Sequence, residues 1–386
     1  LKVCMISYSV YLYDNRVHRY GETLINAGIG LDVICLSPDT AKEVLQYGTG
    51  RHYQIQSRSF SEKGPVSYML NFIKFFVKSF VLVTKLYFKN RYEVIHYHNI
   101  PDFGVFAALI PKLCGAKIIL DIHDIVPEFY MWKFQKDEKH FIIKIIKFVE
   151  KISCRFADHV IVATHIWKDR LVSRSMKKEK CTVIMNTPYP PVFDRYKGKP
   201  FIGNRFTMVY PGSLNEHFGV DIAIRGVKLI KEKIPHVLLN IYGRGRQETM
   251  LRSLVKSLGI ENNVIFNAPV PRAEIPKIIA KSDIGIVPKR SGLFPDEALS
   301  SKLLEYIYLG KPAVVARTPV ALYYFDDKIV KFFNPDDEKD FAKSVIELFE
   351  NPGEMKKISK NCERFNKKHS WEFYKSEYFK IIGFNG

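Results

Sequence analysis

Short apolar runs alternate with helical periodicity along this chain, and that alternation restricts the fold more than any other feature. Lys2–Ser7 reads as a buried strand and Asn15–Ala27 as a helix stopped by Gly28 and Gly30, with Leu31–Leu36 as the next strand. Val94–Tyr97 (strand), Phe103–Leu113 (helix, ended by Gly115), Lys117–Ile122, His159–Val162 and Thr182–Met185 (strands) continue the series. The pattern predicts an α/β fold in which helices cover both faces of a parallel sheet.

The segment Pro188-Tyr189-Pro190-Pro191 through Lys199-Pro200 interrupts the series with the composition of a linker. The alternation then restarts with Thr207–Tyr210 (strand), Val220–Lys233 (helix), Val237–Tyr242 (strand) and Gln247–Leu258 (helix). Val264–Phe266, Ile284–Val287 and Pro312–Val315 complete a second set of strands. The expected organisation is a first Rossmann-like doubly wound domain over 1–188, a linker over 189–200 and a second such domain over 201–368. Two such domains are expected to face a common cleft. The tail Glu354–Ile382 is helical in pattern with no strand after it, so residues 369–386 are expected to return across the linker toward the first domain.

The 386 residues carry a formal net charge of +19. A basic surface suits nucleic acid, an acidic membrane or an anionic substrate, and it also arises in a lysine-rich proteome. The lysines are spread along the chain and no nucleic-acid motif appears, so no nucleic-acid partner is expected. The six cysteines are scattered without a C-x-x-C pair, and Lys2–Ser7 has no secretory pattern; a reducing cytoplasm is the expected compartment. Between Tyr68 and Lys89 the charged residues are Lys74, Lys78, Lys85 and Lys89, which fall within an arc of roughly 60° on a helix. Nearly everything else there is apolar, yet the lysines interrupt the run too often for a membrane span. Two readings stand: a helix buried among neighbours, or one lying on an anionic membrane surface. Lys139–Lys151 is a second basic amphipathic stretch.

The densest chemical pattern runs from Pro295 to Pro312. Glu297 and Glu305 bracket Ser300 and Ser301, which precede a short helix stopped by Gly310. Backbone N–H groups at such a helix start carry partial positive charge and suit a diphosphate. Lys302 adds a full charge in the first turn. Glu305, one turn on, suits the two hydroxyls of a ribose. Glu297, in the preceding loop, suits sugar hydroxyls. The plainer reading is a capped surface helix with a solvated Glu305.

Ser301-Lys302-Leu303-Leu304-Glu305-Tyr306…Gly310-Lys311-Pro312-Ala313-Val314-Val315 resembles the donor motif of family-four retaining glycosyltransferases of the GT-B fold. Asp14-Asn15-Arg16-Val17, His96-Tyr97-His98-Asn99, Asp121-Ile122-His123-Asp124, Ala157–Val162, Val183–Asn186, Tyr210-Pro211-Gly212-Ser213, Tyr242-Gly243-Arg244-Gly245 and Ser282–Pro288 are similar to further family segments in the same order. The resemblance implies transfer of a sugar from a nucleoside-diphosphate sugar (UDP or GDP) with retention and without a metal or other cofactor. It implies His123 beside the transferred sugar with Glu297 as its catalytic companion. It places Gly212, Ser213, Arg244, Ser301, Lys302, Leu303 and Glu305 on the donor, and Asp14, Arg16 and His98 on the acceptor side. Arg16 also fits a helix-start salt bridge. The chain has no D-x-D sequence, and Asp326-Asp327 and Asp336-Asp337 read as loop or helix-start acids.

The sequence departs from the family after Tyr210. Many members place an Arg and a Lys there on the diphosphate, whereas Gly212–Gly219 has neither. His217 is the one substitute within that loop, and Lys289, Arg290 and Lys302 are expected to supply the missing charge from the other side. The glycine pair common at the N-terminus is replaced by Ser7–Tyr13. The expected activity is hexosyl transfer to a glycan or lipid-linked glycan acceptor in cell-surface polysaccharide biosynthesis, by a cytoplasmic protein peripheral on the inner membrane face through Tyr68–Lys89. A nucleotide-sugar epimerase of the same architecture is the alternative.

Overall fold

The computed structural model describes residues 1–38, 44–48, 50–57, 65–198 and 203–384. The chain divides into two compact units, Leu1–Met185 with Tyr374–Gly386, and Asn186–Phe373.

Among the described residues the first unit has eight strands: β1 (Lys2–Ser7), β2 (Gly30–Ser37), β3 (Val44–Tyr47), β4 (Gly50–Ser57), β5 (Val94–His98), β6 (Lys117–Ile122), β7 (His159–Val162) and β8 (Cys181–Val183). Their order is β3-β4-β2-β1-β5-β6-β7-β8, and all pairings are parallel except β3 with β4. The inner strands are buried on both faces, which is why they read as unbroken apolar runs. The helix Asn15–Asn26 starts where the Asp14 side chain accepts from the backbone N–H groups of Arg16 and Val17. The β3–β4 hairpin was not expected from the sequence, because its residues alternate only weakly in polarity. The expected helix Phe103–Leu113 is a 3-10 segment over Asp102–Ala108 followed by one helical turn, Leu109–Leu113. Gly104 faces the Tyr97 hydroxyl there, and Tyr97 holds the carbonyl of Pro101, so the backbone is drawn tighter than an α-helix.

The second unit has β9 (Thr207–Pro211), β10 (Leu238–Tyr242), β11 (Val264–Asn267), β12 (Ile284–Val287), β13 (Ala313–Ala316) and β14 (Lys331–Phe333), in the order β11-β10-β9-β12-β13-β14, all parallel. This is the doubly wound order whose direction reverses between β9 and β12. Part of the expected linker is ordered: Pro190–Phe193 forms a helical turn with proline at its start, and Tyr308 donates to Asp194 at 2.6 Å. Residues 199–200 of that stretch lie outside the described residues. Asp337 caps the helix Glu338–Glu350. The tail forms two helices, Pro352–Lys368 and Trp371–Ile382. In the second of these, the Tyr378 hydroxyl lies 3.0 Å from His96 Nδ1 within the first unit.

Candidate functional site

In an open parallel sheet, ligands bind outside the carboxyl ends of the strands where the order reverses. In the second unit this point lies beyond Pro211 of β9 and Val287 of β12. Gly219 closes the loop after β9 with φ +62°, and a Cβ there would lie 1.8 Å from the Pro288 carbonyl oxygen. Gly243 after β10 is pressed on the Gly212 carbonyl in the same way, at 1.9 Å. Only glycine lets these loops approach so closely.

The helix Ser301–Tyr308 rises beside this point. Ser300 stands at its N-cap, as expected, but its side chain makes no capping hydrogen bond. The first-turn N–H groups therefore lack a side-chain acceptor of that kind. Ser301 is exposed, whereas Leu303 is a core side chain, 1% exposed, and offers a ligand only its backbone. Lys302 Nζ lies 4.4 Å from the centre of the Phe218 ring and 5.0 Å from that of Tyr210. A Cβ on Gly212 would come within 2.9 Å of it. Among the described residues no carbonyl or carboxylate accepts a hydrogen bond from this ammonium. Burial lowers its pKa to about 8, against a weaker opposing pull from Glu305. Burial raises Glu305 to about 7, opposed by Lys302 and Arg272.

The other cations are engaged. Lys289 is 6% exposed, and its ammonium donates to the carbonyls of Pro295 and Ala298, both at 2.6 Å. It thus braces the loop that carries Glu297, itself 8% exposed. Arg290 pairs with Asp221 at 2.6 Å and Asp336 at 2.5 Å. Neither presents a free charge as the sequence reading had it, because carbonyls and carboxylates already take their donors. His217 brings no charge either: burial, then Lys289 and Lys302, lower it to about 4. Ser213 and Arg244 are exposed at the ends of β9 and β10, and the Leu214 N–H donates to the Arg244 carbonyl.

In the first unit the order reverses between β1 and β5. The parallel register of β5 and β6 sets His98 beside Asp121. Asp121 Oδ1 accepts from Arg16 Nη2; Oδ2 lies 3.1 Å from His98 Nδ1, 3.4 Å from His123 Nε2 and 3.8 Å from His96 Nε2. Burial pushes the Asp121 carboxyl up, but Arg16 and the histidines outweigh it and hold it well below the usual range. Arg16 and His98 are buried and turned onto this carboxylate, so neither side chain is placed to meet an acceptor, which corrects that part of the sequence reading. Asp14 is half-buried at the helix start. Burial raises its carboxyl, and His123, the Val17 N–H and His98 bring it below the ordinary value. His96, His98 and Asp121 offer donor atoms within 4.8 Å of one another, yet the Arg16 guanidinium already supplies the cation on that carboxylate. His123 remains partly open, and its backbone N–H donates to Asn99 Oδ1 at 2.7 Å. Asp121, Asn99 and Phe218 were missed as site members; strand register, the one signal that pairs Asp121 with His98, is not legible in a single sequence.

The model for "Glycosyltransferase Family 4" matches residues 14–187, and that for "Glycosyl transferases group 1" matches residues 193–365. The chain belongs to the family-four glycosyltransferases. The chain is 29% identical over 133 residues to the GDP-mannose-dependent alpha-(1-6)-phosphatidylinositol monomannoside mannosyltransferase of Mycolicibacterium smegmatis, covering 34% of this chain and 35% of that protein. It is 24% identical over 226 residues to the chitobiosyldiphosphodolichol beta-mannosyltransferase of Debaryomyces hansenii, covering 53% of this chain and 47% of that protein. The chain thus spans a third to a half of the length of these curated relatives. The solved structure of Anabaena HepE in complex with UDP superposes with a TM-score of 0.72 at 15% identity, over 99% of this chain and 100% of that one. At that identity the likeness shows the fold, GT-B.

Proposed function

We propose that the transferase moves a hexosyl group from a nucleoside-diphosphate sugar, UDP- or GDP-linked, to a glycan or lipid-linked glycan, with retention and without a metal ion. The observation that carries this is the helix start at Ser301–Leu303, with a Lys302 ammonium that has no hydrogen-bond acceptor among the described residues and the Glu305 carboxylate one turn on, beside the switch point of the second sheet. As the glycosidic bond breaks, negative charge grows on the leaving diphosphate. Lys302 and the first-turn N–H groups meet that charge, and donors fixed in advance lower the barrier without reorganisation. Glu305 accepts from the ribose hydroxyls. Glu297, braced by Lys289, holds hydroxyls of the transferred sugar, and His123 is the proposed catalytic residue of the first unit. The HepE complex with UDP and the GDP-mannose-dependent relative support the donor class.

The test is turnover of UDP- and GDP-sugars by the intact protein and by Glu305→Ala and His123→Ala, with and without EDTA. Full donor turnover in both variants would sink the assignment, and loss of activity in EDTA would sink metal independence. NMR of the donor alone separates transfer from epimerisation, which needs no acceptor. The curated relatives include both an alpha and a beta mannosyltransferase by name, so the anomeric form of the product decides retention.

The acceptor side is proposed to work against the cytoplasmic face of an anionic membrane, in cell-surface polysaccharide assembly. Among the described residues no helix is long and apolar enough to cross a bilayer. The helix Pro65–Asn90 exposes Met69, Ile73, Val77 and Val81 in one row, with Lys74, Lys85 and Lys89 exposed at its flank. The helix Phe141–Phe156 exposes Phe141, Ile145 and Phe148 beside Lys144. Both pack on the same 3-10 segment through Phe76–Phe103 and Phe106–Phe156 contacts. The outward apolar rows favour the membrane reading of Tyr68–Lys89 over the buried one.

A further inference from the structure

The first unit holds a carboxylate that the transfer chemistry leaves without a role. Asp121 is fully buried at the carboxyl end of β6. Arg16 from the helix Asn15–Asn26 pairs with its Oδ1, and three histidines surround its Oδ2. Of these histidines only His123, at 18% exposure, reaches the surface.

An ionised carboxylate only accepts hydrogen bonds, so a ring nitrogen bonded to it must carry a proton. A neutral imidazole has one such proton. His123 turns Nε2 toward Asp121 Oδ2 at 3.4 Å and toward His98 Nδ1 at 3.2 Å. His98 in turn lies 3.1 Å from the same oxygen through Nδ1. Burial lowers the pKa of His98 and that of His96, so both stay neutral beside the carboxylate. Arg16 keeps Asp121 ionised from the other side. The backbone of His123 is fixed independently: Asn99 accepts its N–H and donates to Asp102 at 2.7 Å and to the Asp124 carbonyl at 3.0 Å.

We infer that Asp121 is a positioning residue for His123, taking the Nε2–H so that Nδ1 keeps the free lone pair and the ring holds one orientation. Arg16 and His98 are parts of the same device rather than acceptor contacts. Buried ahead of the reaction, the carboxylate also stabilises any positive charge the ring gains, as a carboxylate behind a general base does. The inference rests on the proposed role of His123 in sugar transfer.

Two measurements test it. Long-range nitrogen–proton NMR on the intact wild-type protein reads the tautomer of His123 directly. The Nε2–H form is expected at neutral pH, and the Nδ1–H form would overturn the inference. Asp121→Asn is expected to lower kcat about a hundredfold, within the range of proton-transfer assistance. The KM for donor and the nucleotide thermal shift should stay as in wild type, because the donor residues lie in the other unit. An unchanged kcat in Asp121→Asn would refute the positioning role. If His123→Ala also kept full turnover, the functional reading itself would fail; if only Asp121→Asn did, this inference alone would. Should Asp121→Asn not fold, the wild-type tautomer decides.

Discussion

Lys302 sets its ammonium 4.4 Å from the centre of the Phe218 ring, over a loop that contains neither of the basic residues many family-four members place there. The charge expected after β9 is thus carried on a helix across the switch point. It is held by two aromatic faces, those of Phe218 and Tyr210, rather than by a carboxylate. Such an ammonium is poised for an anion, because no acceptor among the described residues competes for its protons.

Lys302→Met is expected to weaken UDP or GDP binding about 10- to 100-fold, the equivalent of one charged hydrogen bond at about 1.5–3 kcal/mol. The unliganded protein should not lose Tm, since a partly buried ammonium without a hydrogen-bond partner is itself costly. Calorimetric titration with both nucleotides checks this. Equal affinities in wild type and variant would remove Lys302 from the site.

Nucleotide affinity should peak between about pH 7 and about pH 8. Glu305 is raised to about 7, so below that it is protonated and loses acceptor capacity; affinity rises with pH as it ionises. Lys302 is lowered to about 8, so above that it loses its charge and affinity falls. Titrations across this window should show the acid limb flattened in Glu305→Gln and the alkaline limb flattened in Lys302→Met.

Lys289→Met should act through the fold. It strips two short charged hydrogen bonds from the carbonyls of Pro295 and Ala298 and leaves them buried. A loss of about 3 kcal/mol is expected from urea unfolding of the second unit. Donor KM should rise as the Glu297 loop loosens. Wild-type stability with an altered KM would mean that Lys289 meets the donor directly.

The paired change Val77→Asp, Val81→Asp should abolish sedimentation with anionic vesicles while leaving the unfolding free energy within about 1 kcal/mol, since both sites are exposed. Binding of wild type should weaken at high salt, as lysine attraction to headgroups is screened. Retention of vesicle binding by the double variant would place the membrane contact elsewhere.

The core strands were legible because strands buried on both faces must be apolar throughout. Lys2–Ser7, Lys117–Ile122, His159–Val162 and Ile284–Val287 fall at their expected ends. The helix Val220–Lys233 was equally plain, with a left-handed glycine before it. The hairpin β3–β4 and the short β14 were not, since β3 and β14 are short strands at sheet edges, where one side is left unpaired and the apolar pattern is weak. The residue types of the candidate site could be named from the sequence, but their commitments could not. Lys289, Arg290 and Lys302 look alike as letters.

Sequence alone determined the two α/β series, the break between them and the Ser301–Glu305 helix start. Each follows from local periodicity, capping and a motif whose residues are near neighbours in the chain. Tertiary structure decided which charges are spent and which are free. It turned Arg16 and His98 inward onto Asp121, tied Lys289 to loop carbonyls and Arg290 to the carboxylates of Asp221 and Asp336, and left Lys302 over Phe218. A hydrogen bond depends on which groups meet across 105 residues or across nine, and only the register and packing of the folded sheets fix those meetings.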